Sequence, residues 1–512
     1  MSDKMSDIKE NTASANESQL ETLDNLAQSK KRYLRPKEIF AYVMANFGHK
    51  ALNQFMSTHQ DFFLINIMRV KPAHLAAVNT FATLYDALDD TISGLIIDRT
   101  RTRWGRVKPF FILPLPIWII GGIMLFSTPN LAPESVGLAF YALAAVVIYG
   151  LGMSYFNAWN LMFYNVTPNN LERNRLLSTT KFVELFAVWI PSLVAPMLDL
   201  LPKLGVPQSR VYAFSSYIMF AFASVFAINA FFNLRERVPL QSREEMKKIP
   251  IMTSFRHILK NKPLFAIILA DFFNNFKAVG GSTEQYFWYN NVGAFSYQTI
   301  CGLFTGIPNY FMIPVASKMI KKFGARATAI FAGLLGLGAY ALLFIAGFPK
   351  GAVMKGDFTD HIFINLVTVI VLLTIAGLPN KIIQMCNPIL TAEAIDYMEW
   401  KDGSRNEALV TTVQGYFAKL AITVTKWLSS MVLVWMHYEP QYTADNKLIP
   451  NTEDHVQRGI WIVFCILPAL ARGLYGISFI LYPIHGKLQQ QLIVELADKR
   501  AAALEERNKK ES

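Results

Sequence analysis

Apolar stretches of about twenty residues recur along this chain, separated by shorter polar segments. An α-helix rises about 1.5 Å per residue, so roughly 20 apolar residues cross the hydrocarbon core of a bilayer. This pattern is typical of an all-α polytopic membrane protein. It predicts twelve transmembrane helices, at residues 38–66, 75–97, 109–127, 136–165, 176–200, 211–233, 263–289, 299–319, 326–347, 361–389, 407–436 and 459–483.

Lys and Arg concentrate in alternate loops. The N-terminal arm, the loop after the second helix, the central loop and the loop after the eighth helix are all basic, whereas 127–135 and 290–298 contain no Lys or Arg. With an even number of helices, all the basic segments lie on one side. The positive-inside rule then predicts cytoplasmic N- and C-termini in an inner or plasma membrane.

A long basic segment at 234–262 divides the predicted helices into two sets of six. The sequence therefore predicts a cytoplasmic arm at 1–37, a six-helix half at 38–233, a central cytoplasmic loop at 234–262, a second six-helix half at 263–483 and a cytoplasmic tail at 484–512. The tail alternates apolar and polar residues as an amphipathic helix would. Two six-helix halves around a midplane site is a common plan among secondary transporters.

The composition supports this class. Of the 512 residues, 53% are hydrophobic and 17% are charged, and the net charge is +12. Because the positive charge lies in loops, it predicts contact with anionic lipids rather than with nucleic acid. The three cysteines lie far apart in the sequence, so we predict neither a disulfide bond nor a zinc site. No hydrolase or nucleotide-binding motif occurs, so we expect no enzyme, no cofactor and no ATP-driven pump.

Three aspartates, Asp86, Asp89 and Asp90, lie within the second apolar stretch. Each costs about 2.5–3.5 kcal/mol at mid-membrane, so their helix must face a polar cavity. They are spaced i, i+3 and i, i+4, and their carboxylates repel one another unless a proton or cation lies among them. We therefore predict a site for H⁺ or Na⁺. The alternative is a structural triad paired with basic residues of other helices, such as Lys419.

Two further spans are unusually polar. The first contains His49, Lys50, Asn53, Gln54 and His59, and the seventh contains Asp271, Asn274, Asn275, Lys277 and Glu284. Polar residues on spanning helices usually face a bundle interior or a cavity.

The loop after the second helix carries a glycine, an aspartate–arginine pair and a terminal glycine–arginine. These residues are Gly94, Asp98, Arg99, Arg103, Gly105 and Arg106. The pattern resembles the loop signature of the major facilitator superfamily. Asp98 can accept hydrogen bonds from arginines or from a helix N-terminus, which predicts a latch that opens during transport. The alternative is a basic loop anchored to lipid headgroups.

Three motifs narrow the resemblance. They are Asp86–Gly94 with the loop that follows, Glu172-Arg173, and the acidic-aromatic segment 394–407, which contains Asp396, Glu399 and Arg405. Together they resemble the glycoside–pentoside–hexuronide:cation symporter family, over roughly residues 40–485. The resemblance implies a major facilitator superfamily fold and places the acidic-aromatic segment in the loop between helices ten and eleven.

The resemblance also implies site residues. Positions matching Asp86 and Asp90 bind the coupling cation in the family, and they would be the metal ligands if that cation is Na⁺. Asp89 departs from the family's best-known member, which has asparagine there, and the added charge favours a proton. Substrate contacts are implied at Asn53, Asn157, Trp159, Lys181 and Lys419. Packing or interfacial anchoring would explain Trp159 equally well, and an ion pair would explain Lys419.

The sequence thus predicts a secondary active transporter. It would couple H⁺ or Na⁺ to a sugar, glycoside or uronide by alternating access, and we expect it to be monomeric. One alternative keeps the fold and changes the substrate to a lysolipid or another amphipathic anion. A second alternative is a membrane sensor that transports nothing.

Overall fold

The computed structural model of the chain describes residues 32–156, 162–163, 165–167, 169–237, 261–346, 366–402, 407–486, 488–492 and 494–496. Most of these residues are helical. The central loop, the N-terminal arm and the tail therefore lie largely outside the described residues. Short helical segments at 488–492 and 494–496 are the described part of the tail.

The first half is a series of helices. Pro36 and Pro72 stand in the first turns of the first two, where the missing N–H has no helical partner to lose. The elements are α1 (Pro36–Asn66), α2 (Pro72–Arg99), a 3₁₀ turn (Lys108–Phe111), α3 (Leu115–Leu125), α4 (Val136–Phe156), α5 (Asn170–Ala187), α6 (Trp189–Ser192), α7 (Val194–Leu200), a second 3₁₀ turn (Leu201–Leu204) and α8 (Gln208–Asn233).

The second half has the same character, with one small hairpin. Its elements are α9 (Lys262–Asn275), α10 (Lys277–Tyr286), a π-helix (Phe287–Val292), α11 (Ser296–Ala346), α12 (Leu366–Asp402), α13 (Glu407–Trp435), β1 (Gln441–Tyr442), β2 (Leu448–Ile449) and α14 (Asp454–Ser478). The two strands pair antiparallel, with Gln441 opposite Ile449 and Tyr442 opposite Leu448.

Helix α11 covers two of the predicted spans. Its one non-helical residue is Gly324, with φ +83° and ψ 162°. Glycine adopts positive φ without the steric penalty that a Cβ brings. The break between the predicted spans 299–319 and 326–347 therefore falls at this residue.

Within the described ranges, nine helices are long and apolar enough to cross a membrane. Helices α1 and α2 are not among them, although they have 31 and 28 residues, because they carry more polar side chains. The all-α fold of spanning helices is confirmed. The total of twelve spans and the division at 234–262 remain predictions.

The structure corrects one boundary. The segment from Ala394 to Asp402, which we expected in a loop, continues α12 as helix. Hydropathy detects the apolar part of a spanning helix and misses a polar extension beyond it. This extension is held because Ala394, Ile395 and Met398, spaced for one helix face, are buried in an apolar cluster.

Apolar packing differs between the two ends of the molecule. At the end that carries residues 66–70 and the β1–β2 hairpin, here called the hairpin end, one cluster joins both halves and includes Phe62, Tyr212, Tyr286 and Tyr438. At the opposite end, here called the termini end, each half has its own cluster. The halves are therefore packed together at the hairpin end.

Candidate functional site

Two polar cavities lie between the halves. The larger has a volume of about 790 Å³ and the smaller about 500 Å³. Gln54 of α1 and Ala278 and Glu284 of α10 line both of them. Because they share these residues, the two cavities form adjoining parts of one polar space.

The wall of the larger cavity is formed mainly by the second half. Its charged residues are Lys277, Glu284, Lys381 and Arg472. Amide and hydroxyl side chains provide much of the remaining polar surface, among them Asn274, Thr305, Asn309, Asn380, Gln384 and Asn387. Amides both donate and accept hydrogen bonds, so this wall suits a ligand with many hydroxyl groups.

Arg472 is the most deeply buried cation of this wall, with 2% of its surface exposed. Its Nη1 donates to Asn274 Oδ1 at 2.8 Å, and its Nη2 donates to Asn380 Oδ1. Lys277 Nζ donates to the same Asn380 oxygen at 2.9 Å. Two hydrogen bonds to one atom hold the two positive charges within about 6 Å of each other. At an effective dielectric of about 20, they repel by about 3 kcal/mol.

Small residues of α11 make room for this arginine. A Cβ on Gly336 would lie 2.8 Å from Arg472 Cγ, and one on Gly333 would lie 2.8 Å from Arg472 O. Close approach of α11 to α14 therefore depends on these glycines. The arrangement directs the guanidinium toward Asn274 and Asn380 at the cavity wall.

The smaller cavity contains the polar face of α1. Asn53 and Asp61 line it together with Asn79 of α2 and Lys426 of α13. The Asn53 amide nitrogen lies 3.1 Å from His49 Nε2. Asn53 was predicted as a substrate contact, and the structure places it on the cavity wall.

The aspartate triad lies on α2, the helix whose Asn79 lines the smaller cavity. Asp89 is buried, with 4% of its surface exposed, and Asp86 is half-buried. The side chain of Asp90 lies outside the described residues. Helix α2 packs against α4 and α13. Of the described residues lining the two cavities, none belongs to the triad.

One face of helix α2 is apolar and exposed. Phe81, Leu84, Leu88 and Ile92, spaced at i, i+3 and i, i+4, each expose more than half of their surface. Such a stripe suits contact with lipid. Asp86 projects from the other side of the helix. Asp86 therefore does not belong to the exposed apolar face, and the polar cavity expected around the triad remains a prediction.

No group of three His, Cys, Asp or Glu side chains arranged for a metal ion is found among the described residues. The Asp90 side chain lies outside the described residues, so Asp86 and Asp90 as Na⁺ ligands remain a prediction. H⁺ and Na⁺ both remain predictions.

The other predicted substrate residues are dispersed. Lys181 lies on α5, where its side chain is 63% exposed and pairs with Glu184 at 2.8 Å. Lys419 is half-buried on α13, one of the two helices packed against α2. Asn157 and Trp159 lie outside the described residues. Of the described members, Asn53 lines one of the two cavities, whereas Lys181 and Lys419 line neither.

The predicted latch is centred on a glutamate that sequence reasoning did not identify. Glu236, just after α8, accepts hydrogen bonds from the backbone N–H groups of Arg106, Val107 and Lys108 at 3.1, 2.8 and 2.9 Å. Gly105 has φ +115°, and a Cβ there would lie 2.4 Å from the Glu236 carboxylate. Only glycine fits both requirements.

The remaining latch residues lie around this anchor. Gly94, Asp98 and Arg99 belong to α2, and the side chain of Asp98 lies outside the described residues. Arg99 and Arg103 are exposed, and the Arg103 guanidinium lies 4.7 Å from the centre of the Trp104 ring.

The acidic-aromatic segment is helical where it is described. Asp396 and Glu399 are half-buried on the polar extension of α12. Trp400 Nε1 donates to Glu495 of the tail at 2.7 Å. Arg405 lies outside the described residues. Up to residue 402, this segment is therefore part of helix α12 and contacts the tail. It does not form the predicted loop there.

Hydrogen bonds close the hairpin end across the halves. The Tyr438 hydroxyl donates to Asn66 Oδ1 at 2.6 Å, and the Tyr442 hydroxyl donates to Asn66 O at 2.9 Å. Gln285 Nε2 lies 2.7 Å from His59 Nδ1. These contacts separate the polar space from solvent at this end.

A helix cap adds to this closure. Asp199 of α7 accepts hydrogen bonds from the backbone N–H of Phe295 at 3.1 Å and of Ser296 at 2.6 Å, and from the Ser296 hydroxyl. Ser296 begins α11, so a carboxylate of the first half satisfies free N–H groups of a helix in the second half. The positive end of the helix dipole adds to this attraction.

Sequence reasoning passed over some cavity residues. Arg472, Asn380 and Asn309 lie in spans that the apolar pattern identified as ordinary. One sequence feature could have indicated this wall, namely an arginine within the last apolar stretch. A charge at that depth is costly unless it has a function. Its amide partners could not be deduced, since they come from helices distant in the chain.

Comparison with known proteins gives consistent matches. Residues 41–486 match the sequence model of a family described as MFS/sugar transport protein. The isoprimeverose transporter of Lactiplantibacillus pentosus is 23% identical over 471 residues, which cover 91% of this chain and 92% of that protein. The uncharacterized symporter YjmB of Bacillus subtilis strain 168 is 23% identical over 484 residues, covering 92% of this chain and 97% of that protein.

A solved structure matches over a similar extent. A bacterial homolog of the human lysosomal transporter Spinster, in an inward-facing and unoccupied conformation, superposes with a TM-score of 0.61. The match covers 88% of this chain and 98% of that chain at 12% identity. At 12% sequence identity, this similarity shows a shared fold and nothing further.

Proposed function

Because this chain belongs to the MFS/sugar transport protein family, it is an integral membrane sugar symporter driven by a cation, and we propose that its sugar crosses through the polar space between the halves. The observation that carries this proposal is a polar space lined by residues of both halves, with an apolar cluster that joins the halves at the hairpin end. Rocking of the halves about such a space would expose it to each side in turn.

The amides of the wall are the proposed sugar contacts. Asn53 and Gln54 approach from α1, and Asn274, Asn309 and Asn380 approach from the second half. Each amide matches the paired donor and acceptor character of a sugar hydroxyl. This polar wall favours a sugar over the acyl chain of a lysolipid, which requires apolar surface.

The aspartate triad is the proposed site of the coupling cation. Asp89 is buried, and α2, which carries the triad, packs against α4 and α13. A cation or proton bound there would offset their mutual repulsion. If the termini are cytoplasmic, as the basic loops predict, the structure corresponds to a state closed toward the outside.

The test is uptake by purified protein in proteoliposomes. We expect labelled pentosides, hexosides or uronides to accumulate when an inward H⁺ or Na⁺ gradient is imposed, and an ionophore for that cation to abolish accumulation.

The Asn380→Ala variant should lower uptake about tenfold or more, since it removes a hydrogen bond partner of two charged groups. Asn130→Ala, at an exposed loop position, is the matched control. Absence of gradient-driven uptake of every sugar would contradict the proposal.

A further inference from the structure

The wall of the larger cavity carries more positive than negative charge. Lys277, Lys381 and Arg472 line it, against Glu284. Asp271 lies behind the wall, where its carboxylate accepts a hydrogen bond from Asn387. Among these five described residues, three are cations and two are carboxylates.

Two of the three cations are held by neutral groups. Lys277 and Arg472 donate to the oxygens of Asn274 and Asn380, and no ion pair within 4 Å joins either cation to a carboxylate of another described residue. Arg472 Nε is buried and has no hydrogen bond partner among the described residues. Buried charges are ordinarily paired, so a buried cation held by amides beside a cavity indicates a missing counter-charge.

We infer that the larger cavity binds the anionic group of an acidic sugar, a carboxylate or a sulfonate, between Lys277 and Arg472. This inference rests on the proposed passage of a sugar through the same space. The guanidinium presents a planar fork of donors that matches such a group, and the ammonium adds a point charge.

The rest of the wall serves the hydroxyl groups. Gln384 is an exposed amide of this wall. It can both donate to and accept from sugar hydroxyls. The cavity therefore offers cations for one end of the ligand and amides for its ring, which is the polarity of a sugar acid.

A sugar phosphate is the comparison that separates recognition of a monoanion from attraction of any anion. A phosphate ester carries about −1.5 to −2 at neutral pH, whereas a carboxylate or a sulfonate carries one negative charge.

The test measures binding to the purified full-length protein by titration calorimetry. The panel consists of methyl glycosides in the gluco, galacto and manno series, each with a hydroxymethyl, carboxylate, sulfonomethyl or phosphorylated C6. We expect the carboxylate or the sulfonate to bind at least about tenfold more tightly than the hydroxymethyl compound, as a charge-assisted hydrogen bond would give, and the phosphate to bind less tightly than the better monoanion.

Variants locate the effect. Arg472→Gln and Lys277→Gln should each remove most of the preference for the acidic compound, and Arg472→Lys should restore part of it. Lys203→Gln, at an exposed turn position, should leave the preference unchanged. If the Arg472→Gln variant does not fold, the Lys277→Gln variant alone tests whether these cations cause the preference.

Two negative results have different meanings. Equal binding of acidic and neutral sugars, or a preference that survives both glutamine variants, would overturn the inference and leave sugar transport standing. Failure of every sugar to bind, acidic or neutral, would contradict the proposed function as well.

Discussion

At the scale of single residues, buried polar side chains define the candidate site. The sequence marked the first and seventh spans as polar, and the structure brings their Gln54, Lys277 and Glu284 to a common wall. Arg472 completes that wall from a span that otherwise reads as apolar. Its role could not be predicted, because it depends on amides contributed by α9 and α12.

The triad makes a residue-scale prediction. Asp86→Asn and Asp89→Asn should each abolish gradient-driven accumulation while sugar exchange across the membrane continues, because a neutral amide cannot hold a proton or balance a cation. Uptake and exchange of labelled sugar in vesicles measure the two activities separately.

Asp454→Asn is the matched control for these variants. Asp454 is an exposed carboxylate at the start of α14 that pairs with Arg458 at 2.9 Å, and surface pairs contribute little to stability. Accumulation by Asp86→Asn or Asp89→Asn at the wild-type rate would show that the triad does not bind the coupling ion.

At the scale of elements, the sequence predicted where helices lie better than where they end. Apolar runs of bilayer length identified the spans, since the cost of burying backbone polar groups in lipid makes them helical. The polar extension of α12 was missed because Ala394, Ile395 and Met398 are buried by neighbouring helices rather than by lipid. The cap between Asp199 and α11 was also hidden, since it joins segments almost one hundred residues apart.

The cap predicts a shift in conformation. Asp199→Ala removes the acceptor of two backbone N–H groups at the start of α11 and should weaken the closed hairpin end by about 1–2 kcal/mol. Spin labels at positions 203 and 447, exposed in the first and second halves, should then show an added population at longer distance.

Asp445→Ala is the control for this measurement. Asp445 is an exposed carboxylate in the turn of the β1–β2 hairpin, on the same end of the molecule. An unchanged distance distribution in Asp199→Ala would mean that the cap does not hold the halves together.

At the scale of the whole molecule, the two ends differ in how the halves meet. One apolar cluster crosses both halves at the hairpin end, whereas each half has its own cluster at the termini end. The family could be recognised from motifs that resemble it, and the all-α fold from apolar stretches of bilayer length. Which end is closed could not be predicted from the sequence, since it depends on side-chain contacts between distant helices.

This asymmetry predicts sided access to the cavity. Gln384→Cys, an exposed position of the cavity wall, should react with an impermeant thiol reagent from the termini side after Cys301, Cys386 and Cys465, all buried, are replaced by serine. Labelling of right-side-out and inverted vesicles measures the preference.

Lys447→Cys is the control of opposite sidedness, because it lies exposed in the hairpin. Labelling of Gln384→Cys from the same side as Lys447→Cys would reverse the orientation that we propose for the closed state.

The cationic wall also has a consequence for the energetics of the working carrier. Moving one elementary charge through a membrane potential of 100 mV changes the free energy by about 2.3 kcal/mol. A monoanionic sugar carried together with one monovalent cation adds no net charge to the carrier, so membrane voltage would not drive its accumulation. The chemical gradient of the coupling cation alone would then set how far an acidic sugar accumulates, whereas a neutral sugar carried with the same cation would also be driven by voltage.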